Sequence, residues 1–395
     1  MTRPSATLAL ALLLACAAED PDATADDGTG SASDPTSEGG PATSSVETTA
    51  TTTATTQSST TANPTTTSSN DSTDGPSDTG STDDATTDAD DTTGGQACVD
   101  DHRVIAYLAN WTECPTAEQL AQYSHVVIAF AVSYTWTPDG VICDESCNLS
   151  PVDGCLGTPL PDLVQQLHDA DVEVILSFGG ASMGGVWEGT CGQMTKCWDH
   201  CVDQVDSVVA QLTDVVEQND LDGIDIDYEY CLSDPSYIDF VTSLTSSLRA
   251  SLDAAFPGDH KLVTHAPMDS ELEVGDEYFA IVESVASDLD FLMPQYHNGG
   301  RSPFVPEQLE QIHDHYDALV SGPFGGDASK VVFGYCIEPG CQPVATQPEA
   351  VGIAEMFDGW YPQNGGIFFW AHPNDTDAWF SQPFRQHYDE TVCAP

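Results

Sequence analysis

Eight apolar runs recur along residues 104–373, separated by stretches with helical patterning, and this alternation limits the folds open to the chain more than anything else in it. The runs are VIAYLANW (104–111), HVVIAFAVS (125–133), VEVILSFGG (172–180), LDGIDIDYE (221–229), KLVTHAP (261–267), LDFLMPQYHN (289–298), KVVFGYCIEP (330–339) and GGIFFWAHP (365–373). Between several of them, stretches such as LPDLVQQLHDAD and DFVTSLTSSLRASLDAAF place apolar residues at helical spacing. Strand then helix, eight times over, predicts an α/β fold whose parallel sheet closes into a TIM (β/α)8 barrel. In such a barrel the active site lies at the C-terminal strand ends. Polar and aromatic residues collect at those ends here: Tyr107, Asn110, Trp111, Ser177, the fourth-run carboxylates, His265, Gln295, Tyr296, His297, Trp370 and His372.

The fourth run is unusual. Asp222, Asp225, Asp227 and Glu229 fall within eight positions. Successive strand side chains point to opposite faces, so Asp225, Asp227 and Glu229 share one face and Ile224, Ile226 and Tyr228 the other. Alternate carboxylates on a strand sit about 7 Å apart. Buried together they repel, which predicts at least one raised pKa and a proton held at neutral pH. A solvated acidic face does not suit a strand flanked by helices, and a calcium loop needs Gly and Asn punctuation instead of alternating isoleucines.

The chain ahead of the barrel reads differently. MTRPSATLALALLLAC carries one Arg and a short apolar run, a signal peptide over residues 1–15 that is too short to span a bilayer. Its LLAC ending resembles a bacterial lipobox, which implies cleavage before Cys16 and lipid attachment to that cysteine; an ordinary secretory signal is the alternative. Residues 16–97 are rich in Thr, Ser and Asp with almost no large apolar side chains, so they predict a disordered linker. Residues 98–395, near three hundred in number, suit one large domain of the size of a β/α barrel. Setting Cys16 aside, twelve of the 13 cysteines lie in that domain, an even number in an exported chain. Six disulfides are the simplest reading, and the clusters Cys143/Cys147/Cys155 and Cys191/Cys197/Cys201 point to local staples. The formal charge of −56 excludes nucleic acid and anionic membrane surfaces as partners, leaving membrane contact to the lipid anchor.

The segment DGIDIDYE resembles the D-G-x-D-x-D-x-E signature of family 18 glycoside hydrolases, the chitinases and their relatives, at every defined position. SFGG (177–180) is similar to their S-x-G-G, AYLANW to their G-Y-x-x-x-W with Ala106 in place of the glycine, and GGIFFW to their last strand with its cleft-flooring Trp. MPQYHN resembles their Q-[FY]-Y-N, but His297 stands where the family has the second aromatic and Tyr296 precedes it. Either His297 takes over the hydrogen bond to the reacting sugar or a local irregularity turns Tyr296 inward. Phenol chemistry favours Tyr296 slightly, whereas strand geometry favours His297.

The resemblance implies retaining hydrolysis in which the substrate's own N-acetyl oxygen attacks the anomeric carbon. Glu229 is then the general acid and later the base for water. Asp227 orients the acetamide, Asp225 shares a proton with Asp227, and Tyr296 or His297 bonds the acetamide oxygen; Asp222 is structural. It further implies substrate contacts from Trp370, Tyr107, Gly179, Gly180, Met293, Gln295 and Asn298. Trp111 and Trp187 offer further flat faces that could equally serve packing. No cofactor is implied. His265, His297 and His372 lack metal-ligand spacing and read as separate polar lining, so no metal is expected. The expected partner is chitin or an N-acetylglucosamine oligosaccharide, acted on outside the cell or at its surface by a monomer. An endo-β-N-acetylglucosaminidase acting on N-glycans is the sibling reading, and a non-catalytic chitin-binding lectin on the same barrel is the reading from another class.

Overall fold

Strands buried on both sides read as near-continuous apolar runs, and all eight runs become parallel strands of one sheet. In this computed structural model the described residues are 102–137, 140–184, 196–230 and 232–392. The signal segment, Cys16, the linker and Trp187 lie outside them. The barrel strands are β1 (Arg103–Ala109), β2 (His125–Ala131), β3 (Glu173–Gly179), β4 (Gly223–Asp227), β5 (Leu262–His265), β6 (Phe291–Leu292), β7 (Phe333–Cys336) and β8 (Gly366–Trp370). Neighbours pair in sequence order from β1 to β6, and β8 lies between β1 and β7. A parallel bridge from Leu292 to Val331, with Val332 N–H donating to the Leu292 carbonyl at 2.9 Å, joins β6 to β7 and completes the circuit.

Alternation along the strands makes two cores. Ile105, Tyr107, Val127, Ile175, Phe291, Met293, Val332 and Phe368 fill the lumen. Val104, Val126, Leu176, Ile224, Ile226, Val263, Phe333 and Phe369 pack outward against the helices. Helices alternate with the strands: α1 (Leu160–His168), α2 (Val205–Asn219), α3 (Pro235–Ala255), α4 (Glu277–Val285), α5 (Pro306–Ser321), α6 (Gln347–Trp360) and α7 (Ser381–Val392). α3 starts where Asp234 accepts from the Ser236 amide and Pro235 takes a first-turn position that needs no N–H donor.

The loop after β2 carries an antiparallel hairpin, Tyr134–Thr137 with Gly140–Cys143, that the apolar-run pattern does not contain. Two disulfides, Cys143–Cys197 and Cys147–Cys201, fasten it to the short helix Cys197–Cys201 after β3. Cys114–Cys155 and Cys336–Cys341 are also formed. The first cluster is bridged to the second and to Cys114, so the cysteines join neighbouring loops after β1, β2 and β3 and not residues within one cluster. Cys98, Cys191, Cys231 and Cys393 lie outside the described residues.

Candidate active site

Strand alternation turns Asp225 and Asp227 into the barrel and carries Glu229 past the end of β4. All three are buried. Asp225 is the deepest in hydrogen bonds. Its Oδ2 accepts from Ser177 Oγ at 2.7 Å and Tyr107 OH at 3.0 Å, and its Oδ1 from Thr264 Oγ1 at 2.8 Å. Burial pushes its pKa up to about 6 against the pull of those three hydroxyls. Asp227 and Glu229 are hydrogen-bonded to each other. Burial, then the neighbouring Glu229 and Asp225 charges, hold the Asp227 carboxyl well above the usual range. Burial pushes Glu229 up to about 7, opposed by hydrogen bonds from Gln295, Asp227 and the Ala181 amide. Asp227 is thus paired by hydrogen bonding with Glu229, and Asp225 with the three hydroxyls.

Gln295 bridges the outer pair. Its Nε2 donates to Asp227 Oδ1 at 3.1 Å and to the Ala266 carbonyl at 2.7 Å. Met293, one strand step deeper, lies 3.9 Å from the Tyr107 hydroxyl through Sδ. Gly179 and Gly180 let β3 lie against the acidic strand. Gly179 has φ +128°, and a Cβ there would meet the Asp227 carbonyl at 2.2 Å. Gly180 donates its N–H to that same carbonyl at 2.8 Å. Trp370 closes the other side, stacked on Phe130 with centroids 5.8 Å apart and flanked by Tyr107 at 6.2 Å and the half-exposed Trp111 at 6.3 Å.

Several expected residues land elsewhere. Tyr296 points outward, its hydroxyl 2.9 Å from His315 Nδ1 on α5 and its ring stacked on Phe333. Its strand parity is opposite to that of Gln295, so the slight preference for Tyr296 at the site is corrected. His297 has the same parity as Gln295. It is 5 % exposed, neither ring nitrogen has a partner among the described residues, and burial lowers its pKa to about 4. One of its nitrogens and the sulfurs of Cys336 and Cys341 lie within 4.8 Å of one another, but the sulfurs are joined in a disulfide and offer no thiolate. Asn298 uses its Oδ1 to accept from the Gln342 amide at 2.8 Å, a loop contact. His265 faces the helices, bonded to Thr245 Oγ1 at 2.9 Å and Tyr278 OH at 3.0 Å. The lumen position beside it belongs to Thr264, which alternation along KLVTHAP would have indicated. Asp222 accepts the Val174 amide at 2.7 Å and lies 2.8 Å from His168 Nε2, in the structural role expected of it. Glu271, after β5, was not anticipated. Burial first, and then the charges of Glu229 and Asp276, push it up to about 8.

A sequence profile described as Glycosyl hydrolases family 18 matches residues 103–320, more than half of the chain. The chain belongs to glycoside hydrolase family 18. Among curated relatives, Chitinase 1 of Tulipa saxatilis subsp. bakeri is 27 % identical over 217 residues. That match takes in 52 % of this chain and 62 % of the relative's length. A family 18 chitinase from Pseudoalteromonas aurantia superposes with a TM-score of 0.55 at 21 % identity, covering 72 % of this chain and 99 % of that one. A mutant family 18 chitinase from Cycas revoluta, in complex with (GlcNAc)4, gives 0.54 at 15 % identity, covering 73 % and 99 %. At these identities the two superpositions establish the family 18 barrel fold.

Proposed function

We propose that this family 18 protein is a chitinase that hydrolyses β-1,4 N-acetylglucosamine linkages by substrate-assisted retention. The observation that carries the reading is the buried, hydrogen-bonded Asp227–Glu229 pair at the mouth of a family 18 barrel. Glu229, lifted to about 7, delivers the proton to the departing glycosidic oxygen. The acetamide oxygen of the same sugar attacks the anomeric carbon, forming an oxazolinium ion whose positive charge is offset by Asp227, left ionised once the single proton of the pair has passed through Glu229 to the leaving oxygen. Water, deprotonated by Glu229, reopens the ring. His297, whose ring nitrogens have no partner among the described residues and which has the strand parity of Gln295, is assigned the hydrogen bond to the acetamide. Trp370 supplies a flat face for the sugar ring. No cofactor enters this scheme.

The substrate assignment rests on the curated relative and on the Cycas revoluta chitinase complexed with (GlcNAc)4. Glu229→Gln keeps the side-chain shape and removes the acid. It is expected to bind chitotriose like the wild type and to lose nearly all turnover of fluorogenic chitobioside and chitotrioside. A rate within tenfold of wild type in that variant rules the scheme out. Running a high-mannose glycoprotein beside the chitosides separates chitinase from endo-β-N-acetylglucosaminidase, and binding without product identifies a lectin. The LLAC segment supports export and attachment at the cell surface through lipidated Cys16, with the Thr/Ser/Asp-rich linker as a tether. Loss of radiolabelled palmitate incorporation on Cys16→Ser tests the anchor.

A further inference from the structure

Three adjoining strand ends at the barrel mouth are gathered by one small loop. β7 ends at Cys336, and the chain returns to it at Cys341 through a disulfide. Within that ring, Glu338 Oε2 accepts a hydrogen bond from Trp370 Nε1 at 2.5 Å. The loop is fixed to β8 a second time by Ile337 N–H donating to the Trp370 carbonyl at 2.6 Å. Just past the ring, Gln342 and Asn298 exchange hydrogen bonds at 2.8 Å in both directions, which ties the same loop to the exit of β6. Trp370's ring neighbours, Phe130, Tyr107 and Trp111, are aromatic and set the depth of the indole without holding its N–H.

We propose that Glu338 is a positioning residue for Trp370, fixing the rotation of the indole so that the face offered to the sugar is set before substrate arrives, with the Cys336–Cys341 ring holding Glu338 in place. An N–H donated to a carboxylate is stronger than one donated to a neutral acceptor, so the bond resists rotation of a side chain that solvent reaches on one side. Presetting a stacking surface lowers the ordering cost of binding and acts on ground state and transition state alike. Loss of Glu338 therefore raises KM and spares kcat. The inference rests on the reading that Trp370 faces substrate, and it assigns a role to a carboxylate that the hydrolytic scheme does not use.

The test uses the full chain with Glu338→Ala, Glu338→Gln and, as reference, Trp370→Phe. The near-ultraviolet circular dichroism lost in Trp370→Phe defines the signal of the ordered indole. Glu338→Ala is expected to lose most of that signal, to keep its Tm within about two degrees, and to raise KM for fluorogenic chitotrioside about tenfold with kcat within twofold. Glu338→Gln retains an acceptor oxygen and is expected to recover most of both. An unchanged signal and KM in Glu338→Ala overturn the proposal, as does a Gln variant as impaired as the Ala variant. If the wild type cleaves no chitoside, the hydrolytic reading fails while the dichroism still decides whether Glu338 orders Trp370.

Discussion

Replacing Asp225 by Asn probes whether burial in the lumen governs the chemistry of the acidic strand. Asp225 is fully buried, and burial lifts it from an ordinary carboxylate value of 3.8 to about 6. The folded protein thus keeps this proton over about two pH decades in which the unfolded chain has released it. At 1.36 kcal/mol per decade the linkage comes to about 3 kcal/mol. Because the folded value is the raised one, that stability is fully present below pH 4 and is lost as pH rises through 6. Asn cannot ionise, so the variant escapes the loss. Its absolute stability is offset by repacked contacts to Ser177, Tyr107 and Thr264, so the informative quantity is the slope. Urea unfolding at pH 4, 5, 6 and 7 should show wild-type stability falling about 3 kcal/mol further than that of Asp225→Asn. Asp227 adds to the difference with the same sign, because removing the Asp225 charge relieves one of the causes that raise it. Parallel pH profiles for the two proteins would refute the claim that the buried carboxyl holds its proton for lack of solvent.

Glu229 at about 7 places the alkaline limb of kcat/KM near pH 7, with a tenfold loss per unit above pH 8, measurable with a fluorogenic chitoside. Gly179→Ala puts a Cβ against the Asp227 carbonyl at a φ of +128°, so it should cost about 3 kcal/mol in urea unfolding and separate β3 from β4. The disulfides Cys143–Cys197 and Cys147–Cys201 each span 54 residues, worth about 4 kcal/mol of chain entropy if formed alone. Once either exists the other closes a far shorter path. Cys147→Ser/Cys201→Ser should therefore cost clearly less than 4 kcal/mol, and removing both bridges more than twice that single loss.

The barrel was legible because each of its strands is buried on two sides, which writes itself as an apolar run; seven of the eight expected segments contain their strand and the first misses only Arg103. The hairpin after β2 is exposed, with Trp136 and Ile142 open to solvent, so its residues carry no such run. At the site, the strand period alone places Asp225, Asp227 and Gln295 inward. The same period, applied to KLVTHAP and MPQYHN, excludes His265 and Tyr296. Tyr296 was favoured for its phenol and His265 was read as polar lining; burial beside helix partners satisfies both instead. Glu271, on a single 3-10 turn after β5, and Glu338, on a loop, lie outside the strands, where no strand period reports which way a side chain turns. Cysteine pairing depended on which loops face each other at the rim, a tertiary fact.

Asp225 is met by three hydroxyls and, among the described residues, no Lys or Arg forms an ion pair with it, with Asp227 or with Glu229. Basic side chains are engaged elsewhere, Arg249 with Asp253 and Asp290, Lys261 with Asp259, and Arg301 with Asp269 and Glu273. Dissolved ions therefore act on two populations of charge unequally. At 1 M salt the screening length shrinks to about 3 Å, which quiets the mutual repulsion of an exterior that is overwhelmingly negative. The lumen carboxyls, shut away from water and relying on neutral donors, have no counter-charge for brine to weaken. A molecule built this way gains cohesion in concentrated electrolyte without blunting its acid.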